Sequence, residues 1–263
     1  MTTTEQELID TMVNALREYC EDNGFKEVIL GLSGGIDSAL SAVLAVKALG
    51  KENVFGVIMP SMYSSQGSID DALKLAQNLG IKTEIHSIKP LFESFMKNFE
   101  HRGDLAEENL QARLRMLILM FYSNRDGQLL LCNSNKSEAA VGYGTLYGDL
   151  AGGFNMIADL TKTNVYRVAN YINKDKEIIP RETIEKAPSA ELHPNQKDQD
   201  SLPDYAVLDD IIEMYLAQCA LEEIYAKHGK ALTDDIITRI HRAEFKRRQS
   251  PQGVQLTEHP FLN

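Results

Sequence analysis

Cysteine is scarce: Cys20, Cys132 and Cys219 are the only three in 263 residues, and no two form a Cys-x-x-Cys pair. An odd number at wide spacing excludes a disulfide framework and a cysteine-rich zinc or redox site, so buried free thiols are expected. No apolar run approaches the roughly 20 residues that span a bilayer. The opening Met-Thr-Thr-Thr-Glu-Gln-Glu also lacks the basic and apolar regions of a secretory signal. The expected location is the cytoplasm. Positive charge is in deficit too, 27 Lys+Arg against 38 Asp+Glu, a net charge of −11. Nucleic-acid affinity relies on a broad basic surface, so neither nucleic acid nor membrane is an expected partner. An anionic substrate would need a local basic pocket. There are no internal repeats and no low-complexity tracts. With 43% hydrophobic and 25% charged residues the composition is that of an ordinary globular chain, which excludes disorder and collagen.

What is present is an alternation of short apolar runs with helical periods. Thr4-x-x-Glu7 is a capping-box pattern, followed by Leu8, Ile9, Met12, Val13 and Leu16 at helical spacing, which predicts a helix to about Tyr19. Strands are predicted at Glu27–Leu32, Val54–Met59, Lys82–Ser87 and Gln128–Cys132. Helices are predicted at Ser38–Leu49, Ser68–Leu79 and from the Asp104 cap to the turn at Asp126-Gly127. The expected fold is α/β, a doubly wound parallel sheet with helices on both faces. Residues 176–203 hold half of the eight prolines and predict an irregular lid, followed by a helical part over 204–248, all within one domain spanning 1–263.

The segment that carries chemistry is Gly31-Leu32-Ser33-Gly34-Gly35-Ile36-Asp37-Ser38, where a buried strand turns into a helix. Glycine lets the backbone approach an oxyanion closely, and the helix N-terminus adds partial positive charge, so the segment is expected to cradle phosphate. It lacks the Lys-[Ser/Thr] ending of a Walker A loop and the spacing of the dinucleotide Gly-x-Gly-x-x-Gly. Asp37 would repel a phosphate unless a cation intervened, so Mg²⁺ between carboxylate and phosphate is the natural inference.

Ser33-Gly-Gly-Ile-Asp-Ser38 resembles the pyrophosphate loop of the N-type ATP pyrophosphatases, which split ATP between the α and β phosphates to adenylate a substrate. Further stretches resemble one branch, the NAD synthetases: Asn109-Leu-Gln-Ala-Arg-Leu-Arg-Met116, Asn135-Lys-Ser-Glu138, Gly142-Tyr-Gly-Thr-Leu-Tyr-Gly-Asp149, Gly152-Gly-Phe-Asn155, Lys186-Ala-Pro-Ser-Ala-Glu-Leu192 and Glu244-Phe-Lys-Arg-Arg248. The resemblance runs from about Glu5 to Arg248. It implies an adenine nucleotide α-hydrolase-like fold and the ATP-dependent amidation of deamido-NAD to NAD, with AMP and pyrophosphate as products. It also implies a homodimer.

By this resemblance residues 31–38 bind ATP, together with Asn133, Lys162 and Ser189. Asp37 and Glu138 ligate Mg²⁺, Arg113 and Lys246 contact deamido-NAD, and Lys162 neutralises the departing pyrophosphate. Asn133 stands where several relatives have threonine. Asp149 is the candidate for the ammonia pocket, where a carboxylate binds ammonium and takes its proton. Strictly ammonia-dependent relatives have lysine and aspartate where this chain has Leu146 and Gly153, so no substrate role passes to those two. Thr145-Leu-Tyr-Gly-Asp149 is closer to the synthetase domain of bacterial glutamine-dependent enzymes, but the loop begins about 30 residues in, which leaves no room for a preceding glutaminase. Ammonia, free or from a separate glutaminase, is the expected nitrogen donor. The rival readings are another adenylating enzyme of this superfamily and a non-catalytic adenine-nucleotide-binding module.

Overall fold

The computed structural model describes residues 4–194 and 196–261. Helix α1 (Glu5–Asn23) begins at the anticipated capping box, with Thr4 Oγ1 accepting from Glu7 N at 3.3 Å, and runs past Tyr19 because nothing breaks it before Gly24. Strand β1 (Val28–Gly31) leads through the glycine loop into α2 (Ile36–Leu49). Then come β2 (Val54–Ile58), α3 (Gln66–Leu79), the exposed edge strand β3 (Lys82–Ile85) and α4 (Lys89–Met96). The long α5 (Leu105–Asp126), capped by Asp104, returns the chain to β4 (Leu129–Leu130).

The four strands pair in parallel in the order β3-β2-β1-β4. Val28 and Leu30 face one layer, built on α1, α2 and α3, while Ile29 between them faces the other, built on α4 and α5. Both layers are covered, which is why β1 is a continuous apolar run rather than an alternating one. The chain builds outward from β1 to β3, then crosses back to set β4 on the other side of β1. That reversal opens a crevice at the carboxyl ends of β1 and β4, where open α/β sheets bind ligands.

Three helices lie outside the sequence expectations. One is α4. Another is α6 (Lys136–Val141), whose capping box pairs Asn135 with Glu138. The third, after the two-residue strand β5 (Phe154–Asn155), is α7 (Lys162–Ile172), started by Thr161 and burying Val165, Val168 and Ala169. Residues 176–203, expected to be an irregular lid, are more ordered than their prolines suggest. They contain α8 (Arg181–Glu185) and a 3-10 turn at Asp198–Asp200, and Ile179 and Thr183 are buried. Helices α9 (Tyr205–Leu216), α10 (Leu221–His228) and α11 (Lys230–Arg247) form the expected helical part. Together with Ala140 of α6 they enclose a separate core around Leu208, Ile211, Ile212, Ile224, Ile236 and Ile240. Strand β6 (Gln252–Gly253) pairs with β5. None of the described helices is long and apolar enough to cross a membrane.

Candidate active site

The glycine loop is shaped by its own serines. Ser38 Oγ lies 3.1 Å from Ser33 Oγ and donates to Gly35 O at 3.0 Å, while Ser33 Oγ accepts from Gly35 N at 3.1 Å. Gly34 has φ +79°, and a Cβ there would stand 2.2 Å from the Ser68 carbonyl oxygen, so only glycine fits. Gly35 caps α2 without any side-chain bond, leaving the first N–H groups of that helix free to meet an anion. Leu32 and Ile36 are buried in the core, so of this segment's candidates those two can offer a ligand only their backbone.

Across the crevice the chain sets Asp37, Glu138 and Lys162 together. Lys162 Nζ lies 2.5 Å from Asp37 Oδ2 and 3.3 Å from Glu138 Oε1, and 5.3 Å from the centre of the Tyr205 ring. Asn135 Nδ2 donates to Asp37 Oδ1 at 2.9 Å, and the Asn135 backbone N–H donates to Glu138 Oε2 at 3.3 Å. The lysine is 3% exposed and both carboxylates 17%, so the acids form the cleft-facing side. Burial lifts the Glu138 carboxyl above the ordinary range, with Lys162 opposing and Asp37 adding to the shift. Burial also works against the Lys162 ammonium, but Asp37 and Glu138 outweigh it and hold the lysine above its ordinary value.

Asp198 adds a third acid close by, held by the hydroxyls of Tyr143 at 3.1 Å and Tyr205 at 2.8 Å. Three acids against one ammonium leave negative charge in excess, and carboxylate oxygens are the donors Mg²⁺ takes. No three metal-ligating side chains converge among the described residues, so a metal held here would need its remaining ligands from phosphate and water. On that donor set the site fits a phosphate-bridging Mg²⁺.

A second group of candidates surrounds the 142–150 loop. Arg113 Nε donates to Leu146 O at 3.2 Å, and Lys246 Nζ donates to Gly142 O at 2.8 Å and Gly144 O at 2.7 Å. Asp149 Oδ1 accepts from Thr145 N at 2.9 Å, closing the turn. Asp149 is exposed at the surface, yet desolvation by the surrounding protein raises its carboxyl above the usual aspartate range against the opposing hydrogen bonds from Thr145. Tyr147, exposed and at φ 60°, carries backbone strain in the same turn.

Asn133 Nδ2 donates to Gly31 O at 3.2 Å, bridging the ends of β4 and β1, while its buried Oδ1 has no partner. Ser189 stands apart from these groups, its hydroxyl turned to Gln196 O at 2.6 Å within the lid. The neighbouring Glu191, at φ 48°, reaches the start of α3: its carboxylate accepts from Ser65 Oγ at 2.7 Å and Ser68 Oγ at 2.8 Å. The sequence reading missed Asn135, Asp198 and Tyr205. Only Asn135 left a signal, the Asn-x-x-Glu capping box.

A glycine loop with an open helix N-terminus, facing a charge cluster across the switch point of a parallel sheet, is the architecture of a nucleotide-using α/β protein. The NAD synthase family model matches residues 8–250, and the chain belongs to that family. It is 47% identical to the glutamine-dependent NAD(+) synthetase of Thermotoga maritima, covering 98% of this chain but 46% of that one. The chain thus spans about half the length of such curated relatives. Among solved structures, it resembles the NH3-dependent NAD synthetase of Campylobacter jejuni (31% identity, TM-score 0.79), covering 98% of this chain and 100% of that one. It also resembles the NMN synthetase of Francisella tularensis (30% identity, TM-score 0.81), covering 97% and 99%. The fold is the adenine nucleotide α-hydrolase-like, Rossmann-like one.

Proposed function

We propose that the chain amidates deamido-NAD to NAD with ATP and ammonia. The observation that carries this reading is the Asp37–Lys162–Glu138 cluster beside the open N-terminus of α2. The substrate carboxylate oxygen attacks the α phosphorus of ATP, and the bond to pyrophosphate breaks. Ammonia then attacks the activated acyl carbon, and AMP leaves with both electrons of the broken C–O bond.

In this reading residues 33–38 receive the pyrophosphate end of ATP, through the N–H groups that the loop's own serines do not engage. The Lys162 ammonium neutralises charge as that group departs. Asp37 and Glu138 would hold Mg²⁺, which supplies charge neutralisation across the phosphates when bound. The unpartnered Asn133 Oδ1 supports a hydrogen bond to ATP. Arg113 and Lys246 take the dinucleotide, and Asp149 takes the ammonium proton, a task suited to a carboxyl raised above its ordinary value. The segment carrying Ser189 closes over ATP and excludes water from the adenylate.

The reading extends to a cytoplasmic homodimer. Leu110, Leu114 and Ile118 of α5 pack on the core, while Leu117 and Phe121 are 58% and 63% exposed, a face that supports pairing. Light scattering that finds only a monomer would remove the dimer.

The nitrogen source and the acceptor are decided by one assay. Pyrophosphate release is followed with ATP and Mg²⁺, with deamido-NAD or its mononucleotide counterpart as acceptor, and with ammonium or glutamine as donor. NAD formed on ammonium alone is the expected result. Preference for the mononucleotide is the second reading, favoured by the full-length match to the Francisella enzyme. No acceptor dependence would sink both.

A further inference from the structure

Arg115 lies on the same helix as Arg113 but turns the other way, toward the sheet. Its Nε donates to Met59 O at 3.0 Å, just beyond the end of β2. One turn further along α5, Leu119 packs over Gly31 at the end of β1, in contact distance of the place a Gly31 Cβ would take. Arg115 therefore sits at the carboxyl ends of β1 and β2, level with the phosphate loop. The carboxylates whose field it feels are Asp149, on the 142–150 loop, and Glu191, on the lid. Neither is close enough for an ion pair.

A guanidinium carries five N–H donors. Here Nε alone is used, and the two terminal nitrogens have no hydrogen-bond partner among the described residues. The side chain is half-buried, and desolvation by the surrounding protein without a paired carboxylate depresses this group to about 10, against an ordinary 12.5. A partly desolvated guanidinium with four donors open is placed to take an anion.

Arg247 shows what a buried structural arginine does in this same chain. Its terminal nitrogens donate to the carbonyls of Ala139, Ala140 and Ile240 at 3.3, 2.8 and 2.7 Å, and its guanidinium covers the Phe261 ring at 4.6 Å. Arg115 has the same chemistry and none of that closure. The charged groups within its electrostatic reach are Asp149 and Glu191, on two different loops, and its terminal nitrogens bond to neither.

We propose that Arg115 binds a substrate oxyanion in the centre of the cleft, through the fork of its terminal nitrogens. Resting on the function proposed above, the oxyanion is either a phosphoryl oxygen of the adenine nucleotide or the carboxylate of the acceptor dinucleotide. A guanidinium between the two reduces the repulsion that two anions feel when one must attack the other. Planar two-point recognition is what distinguishes arginine from lysine in such a role.

The test uses Arg115→Ala and Arg115→Lys, with AMP and deamido-NAD as separate probes in equilibrium calorimetry and a thermal melt on each variant. Arg115→Ala should weaken one probe at least tenfold, as loss of a charged hydrogen bond does, and Arg115→Lys should recover only part of it. AMP affected alone assigns the phosphoryl oxygen; deamido-NAD affected alone assigns the carboxylate. If Arg115→Ala does not fold, Arg115→Lys carries the measurement, because it keeps the charge and loses the fork. Probe affinities in both variants within threefold of the parent overturn the proposal, as does a parent that binds neither anion. These binding measurements stand whether or not turnover of deamido-NAD is found, so failure of the enzymatic reading is seen separately.

Discussion

Two buried lysines in this chain each face two carboxylates, and they do opposite work. Lys136 is fully buried, 3.1 Å from Asp159 and 2.9 Å from Glu213, and its Nζ also donates to Thr257 Oγ1 at 3.0 Å. Asp159 accepts in addition from the backbone N–H groups of Leu256 and Thr257, at 2.8 and 2.7 Å. Lys136 and Asp159 are both shut off from solvent, and of this cluster's two carboxylates Glu213 alone, 39% exposed in its side chain, reaches it. Lys162 is nearly as buried, but its carboxylates open onto the crevice beside the phosphate loop. Residue type is the same in both. Saturation separates a staple from a site: Lys136 spends its three donors on Asp159, Glu213 and Thr257, and its main acid Asp159 is fully buried, so nothing there is left for a ligand.

The strongest way to break this contrast is Asp159→Ala, which strands a buried ammonium. Removing one partner of a buried pair costs about 3–5 kcal/mol, so the melting temperature should drop on the order of 10 °C. A fall under 3 °C would put Lys136 in the same class as Lys162. Asp37→Ala should do the reverse, cutting pyrophosphate release by about 10²-fold or more at saturating Mg²⁺ while the melting temperature moves by no more than about 2 °C. Full activity in that variant would remove Asp37 from the site. Glu191→Ala frees the lid from Ser65 and Ser68 and should raise the KM for ATP a few-fold with kcat little changed. An unchanged KM would show that the clasp does not govern closure.

The smallest effect tests the boundary between cleft and interior. Cys132 lies under Asp149, its Sγ donating to the Asp149 carbonyl at 3.3 Å, and burial pushes its thiol up to about 12. At pH 8 roughly one molecule in 10⁴ carries the thiolate, so alkylation of Cys132 should wait for unfolding while the half-buried Cys219 reacts. Equal labelling of the two would mean that solvent passes the cleft floor.

Much of the sheet was readable because its strands are buried on both faces and leave uninterrupted apolar runs such as Val28-Ile-Leu30. The glycine loop was readable for a related reason, since few sequences need Ser-Gly-Gly between a strand and a helix. Helix α6 escaped because its six residues are too few to show a period, and α7 because it opens on the polar Lys-Thr-Asn. The charge clusters were a harder case. Nothing local marks Lys136 as closed and Lys162 as open, because Asp159, Glu213 and Thr257 are distant in sequence. Arg115 was passed over for the same kind of reason: its role depends on which side of α5 meets the sheet, and α5 is apolar on more than one side.

Asp159 also imposes an order on biosynthesis. Its partners at Leu256 and Thr257 lie 97 and 98 residues downstream. At typical translation speeds they are made roughly 5–20 s after Asp159 itself. During that interval β1 to β4 are already made, whereas the ammonium of Lys136 at the head of α6 is still short of its Thr257 acceptor. The helix that carries Glu138 therefore gains its last anchor only when the chain is nearly complete, long after the glycine loop opposite has been made.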